Sequence, residues 1–273
     1  MQRANGSANR APWGIPRRVL LAGAMAVLAG CNADSEGSTL IDDSGSSEEG
    51  AASGRLAFRH TSDPVDKVGP TGDISMQGLP GAPAARAYVP RTVADGRVLR
   101  LVVFMHGAGG TAEEALAPLR PYADDERLLL LAPKSTQSTW DVIAGGYGPD
   151  VENLDRLLDQ VSGSYPIRGY TMAGFSDGAS YALSLGIGNG DVFDTVMAFS
   201  PGFSAAQVRH GRARFFVSHG TEDKVLPIER CSRRLVPALE RDGYSVVYEE
   251  FDSGHFMPQA IKDSAVDWLR SGV

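Results

Sequence analysis

From residue 98 onward, nearly continuous apolar runs alternate with stretches whose apolar positions recur at helical spacing. The runs are VLRLVVFMHG (98–107), RLLLLAP (127–133), YTMAGFS (170–176), TVMAFSPG (195–202), RFFVSHG (214–220) and SVVYEEFD (245–252). Such runs suit strands covered on both faces, as in a parallel sheet, better than strands with one wet face. Between them, Val151, Leu154, Leu157, Leu158 and Val161 fall on one helical stripe, and Ile261, Ala265, Trp268 and Leu269 fall on another. Ile228, Cys231, Leu235 and Leu239 also share a helical face despite Pro237. Earlier, RAYVP (86–90) and RLAFRH (55–60) read as strands with no helix between them, which predicts an antiparallel edge hairpin. The pattern predicts a mostly parallel, doubly wound α/β sheet with antiparallel N-terminal edge strands and one catalytic-sized domain over 55–273. Ligands of such sheets sit at the C-terminal strand ends. Few residues separate AFSPG from ARFFV, so little or no cap is expected and the site should be open.

The first 54 residues are patterned differently. Residues 1–30 carry Arg3, Arg10, Arg17 and Arg18 and no acid, and Val19–Ala29 is an uninterrupted apolar run. The run is too short to span a bilayer and has the length of a secretory signal core. It ends in Leu28-Ala29-Gly30-Cys31, which resembles the lipobox of bacterial lipoproteins. That resemblance implies that Cys31 becomes the lipidated N-terminus, that the protein is extracytoplasmic in the cell envelope, and that a membrane is a partner through the anchor. Residues 31–54 are rich in Ser, Gly and acids and poor in large apolar side chains, so they read as a flexible tether. The reach of such a segment is roughly 25–30 Å. Cys231 reads as a small buried apolar residue. The net charge of −7 and the lack of a basic tract exclude an electrostatic footprint for nucleic acid.

TMAGFSDGAS contains Gly174-Phe175-Ser176-Asp177-Gly178, a Gly-x-Ser-x-Gly pattern. Alone it is weak, since a chain this rich in Gly and Ser meets it by chance about 0.3 times. Its context is stronger, because Ser176 falls where an apolar strand meets the start of a helix. That is the setting of a nucleophile elbow, in which a Cβ at either flanking glycine would clash. A serine nucleophile needs a base, and the base needs an orienting acid. Asp223 falls in the loop after 214–220, and His255 after 245–252 and before the last helix, so all three share one rim. Glu222 and Asp252 are the alternative acids. His219 reads as structural, and His60 and His210 have no placed partner. In FMHGAGGT, the backbone N–H of Ala108, with Gly107 beside it, is a candidate oxyanion donor together with that of Asp177. His106 reads as a residue that fixes this loop.

The segment 84–270, through HGAGG, GFSDGASYALSLG, AFSPG, SHGTEDKVLP and GHFMP, resembles the α/β-hydrolase superfamily. It is most similar to small bacterial carboxylesterases and phospholipases and to polyhydroxybutyrate-depolymerase-like enzymes. The resemblance implies an α/β-hydrolase fold with Ser176 as nucleophile, Asp223 as acid and His255 as base, acting on a small-molecule ester. Asp177 departs from the Gln or Ala that such esterases often carry, and no lid is evident. Both features speak against a lipase acting on aggregated long-chain lipid. No metal or organic cofactor is implied, since there is no H-E-x-x-H and no Cys/His cluster. A thioesterase, an acyltransferase or a peptidase would use the same triad, and a non-catalytic surface-binding lipoprotein is the alternative from another class. The sequence leaves the oligomeric state open.

Overall fold

The computed structural model describes residues 50–60, 65 and 67–272. The expected signal segment 1–30, Cys31 and the tether as far as residue 49 lie outside the described residues.

The strands are β1 (Gly72–Met76), β2 (Ala85–Val89), β3 (Leu99–Met105), β4 (Leu128–Ala132), β5 (Ile167–Phe175), β6 (Thr195–Phe199), β7 (Arg214–Gly220) and β8 (Val246–Phe251). They form one sheet in the order β1-β2-β4-β3-β5-β6-β7-β8. β1–β2 and β2–β4 pair antiparallel, and every pair from β4 to β8 is parallel. The helices are α1 (Ala112–Leu116), α2 (Ala123–Glu126), α3 (Asp141–Ala144), α4 (Pro149–Ser164), α5 (Asp177–Gly188), α6 (Ser232–Arg241) and α7 (Gln259–Ser271). This is the expected mostly parallel, doubly wound sheet.

Every residue of β3, β4 and β6 is buried, because apolar clusters cover both faces of the sheet. One cluster joins Leu101, Val103 and Val196 to the α4 stripe of Val151, Leu154, Leu158 and Val161 and to Tyr181 of α5. The other joins Val102, Phe104 and Phe216 to Ala115 and Leu116 of α1 and to Ile261, Ala265 and Leu269 of α7. Both sequence-level stripes therefore face the core.

Two expectations about the edges are corrected. β2 pairs with 72–76, and 55–60 is not a strand. The N–H groups of Ala57 and Phe58 donate to the Asp155 carboxylate, and that of Leu56 donates to Asn189 Oδ1. Side chains thus take the backbone donors that a neighbouring strand would have used. β8 reads as a buried run but forms the outer edge, and its burial is only partial.

Residues 50–54 of the expected tether are a single 3₁₀ turn held to the domain. The Gly54 carbonyl accepts from Asn189 Nδ2 at 2.8 Å. Arg55 follows, buried and doubly bonded to Asp191 at 2.6 and 2.5 Å, which clamps this turn to the domain.

Candidate active site

Ser176 occupies the junction of β5 and α5 with φ 58° and ψ −122°. An L-residue adopts this region only at an energetic cost. The surroundings impose it: the Ser176 N–H donates to the Phe199 carbonyl at 2.9 Å, and α5 begins immediately beyond. The turn leaves no room beside it. A Cβ on Gly174 would lie 2.3 Å from the Gly178 carbonyl oxygen, and one on Gly178 would lie 2.2 Å from that of Met105. The flanking glycines are thus required by closeness of backbone to backbone.

Asp223 stands in the loop after β7, and His255 in the loop between β8 and α7. The two loops touch at Gly220, where a Cβ would meet the carbonyls of Ser253 and Gly254 at 2.4 Å. His255 Nδ1 is 2.6 Å from Asp223 Oδ2, and His255 Nε2 is 2.8 Å from Ser176 Oγ. Because an ionised carboxylate only accepts, Nδ1 carries the proton and Nε2 is left to accept from the serine hydroxyl. The His255 ring also lies on that of Phe175, with centroids 4.7 Å apart.

The Asp223 side chain is fully enclosed and accepts hydrogen bonds on both oxygens. Oδ1 accepts from the N–H groups of Val225 and Leu226 at 2.9 and 2.8 Å. Oδ2 accepts from His255 at 2.6 Å, and Nε2 of His219 lies 3.3 Å from it. Burial alone would raise this carboxyl, but the hydrogen bonds from His219, His255 and Leu226 outweigh it and hold the group well below the ordinary range. His219 is the structural histidine the sequence suggested, bonded through Nε2 to the Leu226 carbonyl at 2.7 Å. It also touches the acid, which the sequence did not suggest. Of the competing acids, Asp252 bonds Thr221 at 3.4 Å and Glu222 is exposed, and neither contacts His255. His60 meets Tyr170, away from the triad.

The HGAGG loop lies against the serine, since a Cβ on Gly107 would sit 3.4 Å from Ser176 Cβ. His106 is buried and orders this loop. Burial pushes its imidazole below its usual value, so it is neutral. Nδ1–H then donates to the Gly107 carbonyl at 2.7 Å, and Nε2 accepts from the Ser135 N–H at 3.1 Å. In a trans peptide the C=O and the following N–H point oppositely, so the Ala108 N–H is turned away from the His106 ring. The Asp177 N–H is the first of α5 and has no acceptor within its helix. Its carboxylate is tied to Thr139 Oγ1 at 2.7 Å.

A further layer carries no motif. The segment 135–150 braces the site, with Ser138 O accepting from the Gly109 N–H at 2.7 Å and Trp140 Nε1 donating to the His106 carbonyl at 2.9 Å. The segment is closed on itself by two buried carboxylates. Asp141 accepts from the N–H groups of Gly148 and Asp150, while Asp150 accepts from those of Asp141 and Thr136. The one available signal was its position after β4, at the rim where ligands sit.

Beside His255 opens a cleft of about 360 Å³, lined by Phe175, Ala117, Pro118, Phe256 and Met257 together with the charged Glu114 and Lys262. No helix or strand stands between β6 and β7 to cover the serine. The expectation of an open site holds.

No protein-family model and no curated protein matches the chain. Among solved structures it is similar to esterase PE8, with 21% identity over 74% of this chain and 99% of that one at a TM-score of 0.56. It is also similar to the fluorophosphonate-binding serine hydrolase F of Staphylococcus aureus, with 16% identity, 74% and 99% coverage and a TM-score of 0.59. The Bacillus cereus carboxylesterase gives 17% identity, 69% and 94% coverage and a TM-score of 0.56. These likenesses establish an α/β-hydrolase fold for this chain. A fold hosts many chemistries, and the site has to speak for the reaction.

Proposed function

We propose that the protein is a serine hydrolase that cleaves carboxylic esters through an acyl-enzyme. The observation that carries this reading is the unbroken relay of Asp223, His255 and Ser176, with both links at hydrogen-bond length. It is supported by the strained elbow at Ser176 and by the cleft beside His255.

In the proposed reaction, Ser176 Oγ attacks the ester carbonyl while His255 Nε2 takes its proton. The oxyanion forms beside the N–H groups of Ala108 and Asp177, with Gly107 making the approach close. Fixed donors of this kind stabilise the tetrahedral intermediate without reorganising. Asp223 keeps His255 in the accepting tautomer and stabilises the imidazolium. His255 then returns the proton to the leaving alcohol, and the acyl group stays on Ser176. Water enters from the open side and attacks the acyl carbonyl as His255 takes its proton; the acyl–Oγ bond then breaks, His255 returns the proton to Ser176 Oγ, and the acid leaves.

A serine-reactive fluorophosphonate should label the folded chain, and peptide mapping should place the label on Ser176. Absence of labelling in protein with a cooperative melting transition would favour the non-catalytic scaffold. Thioester substrates would use the same relay, and no feature of the cleft favours them.

The same proposal places the protein in the cell envelope through a lipid on Cys31. Cys31→Ser should move it from the membrane to the soluble fraction. Continued membrane fractionation of that variant would refute the anchor.

A further inference from the structure

At the opposite end of the parallel strands from the triad, by the N-terminal ends of β3, β4 and β5, lies a second and smaller pocket of about 190 Å³. Four arginines line it: Arg100, Arg127, Arg168 and Arg270. Its other lining residues are the apolar Val98, Leu128 of β4, and Val266 and Leu269 of α7, and one carboxylate, that of Glu126. In a chain of net charge −7, such a concentration of guanidinium groups needs an account.

Ion pairing inside the protein accounts for only part of it. Arg100 meets Asp194 at 2.5 Å, and Arg270 pairs with Glu126 and Asp267. Among the described residues, Arg127 and Arg168 take no carboxylate partner. Four guanidiniums therefore face three carboxylates, which leaves one positive charge uncompensated. Arg100 adds an unfilled donor, since it is 9% exposed and its Nε has no hydrogen-bond partner. Arg127 caps α2 at φ 55°, a left-handed position that glycine would fill at less cost.

We propose that this pocket binds a small organic monoanion, a carboxylate on a short aliphatic chain. The planar fork of arginine matches a carboxylate in two places at once. The single uncompensated charge suits a monoanion better than a phosphate dianion, and the apolar side chains of Leu128, Val266 and Leu269 suit an aliphatic tail. The site is separate from the triad rim, and the inference does not rest on the hydrolase reading.

Calorimetric titration of the full chain with hexanoate tests it, with hexanol and sulfate as comparison ligands. The expected result is saturable hexanoate binding at one site that weakens about tenfold in Arg127→Gly and in Arg168→Ala. Hexanol should not bind and sulfate should bind more weakly than hexanoate. Arg127→Gly suits the left-handed backbone, so its fold should survive, and an unchanged melting temperature verifies that. The proposal is overturned if hexanoate does not bind, if both variants bind it as well as the wild type, or if sulfate binds as tightly. Capture of phosphatidylglycerol vesicles, lost in the variants and without hexanoate binding, would assign the patch to a membrane surface and equally overturn it.

Discussion

Asp223→Asn is expected to cut turnover by about 10⁴-fold while the protein stays folded. The reason lies in which oxygen each neighbour uses. Oδ1 faces the N–H groups of Val225 and Leu226, so an Asn side chain will keep its carbonyl oxygen there. Its NH₂ then replaces Oδ2 and points at two donors, His255 Nδ1 and His219 Nε2. His255 relieves that conflict by moving its proton to Nε2, and in this tautomer it no longer accepts from Ser176. Binding of substrate is untouched, so kcat should fall and KM should not. Asp252→Asn should leave both within a few-fold, because Asp252 contacts Thr221 and not the histidine. The opposite ranking of the two variants would assign the acid to Asp252.

The same substitution should change the acid limb of stability. The Asp223 carboxyl is held below the value of about 3.9 that it has in an unfolded chain. It therefore stabilises the fold at every pH above that value and loses this contribution as pH falls through the lower folded value. In Asp223→Asn that contribution is absent. The melting temperature of the variant should decline less steeply below about pH 4 than that of the wild type, as followed by circular dichroism.

Gly178→Ala is expected to be the most damaging single-methyl change in the protein. The added Cβ would lie 2.2 Å from the Met105 carbonyl oxygen and 2.5 Å from that of His106. Both carbonyl oxygens belong to backbone in the sheet or at its rim, so no side chain can swing aside. Either α5 lifts or the end of β3 moves. The cost should be at least about 3 kcal/mol, which for a domain of this size lowers the melting temperature by roughly 6–12 °C. Activity should fall with it, because the HGAGG loop starts at the displaced end of β3. Gly107→Ala makes a useful contrast. Its Cβ would stand 3.4 Å from Ser176 Cβ, an ordinary contact, so its melting temperature should stay near that of the wild type.

The parts of this account that were legible in the sequence are those with a local cause. β3, β4, β6 and β7 announce themselves because burial on both faces demands unbroken apolar runs. Ser176, Asp223 and His255 were placeable because each follows such a run, and in a parallel sheet the C-terminal ends share a rim. β1 was missed because an edge strand buries one face only, so that Ile74 and Met76 are its only large apolar side chains. The segment 55–60 looked like a strand, and nothing local reveals that Asp155, far along the chain, takes its N–H groups. The same holds for the bracing of the HGAGG loop by Ser135, Ser138 and Trp140. Those contacts join polar groups distant in sequence and leave no period to read. His219 is intermediate: its structural role was legible from its position, and its contact with Asp223 was not.

The most direct test of the central claim is to feed the full chain a p-nitrophenyl ester series from acetate to palmitate, quench during turnover and map the peptides. The account predicts hydrolysis of the short chains and an acyl group on Ser176. Turnover with no acyl group on that serine would contradict it, as would a folded protein that hydrolyses no member of the series.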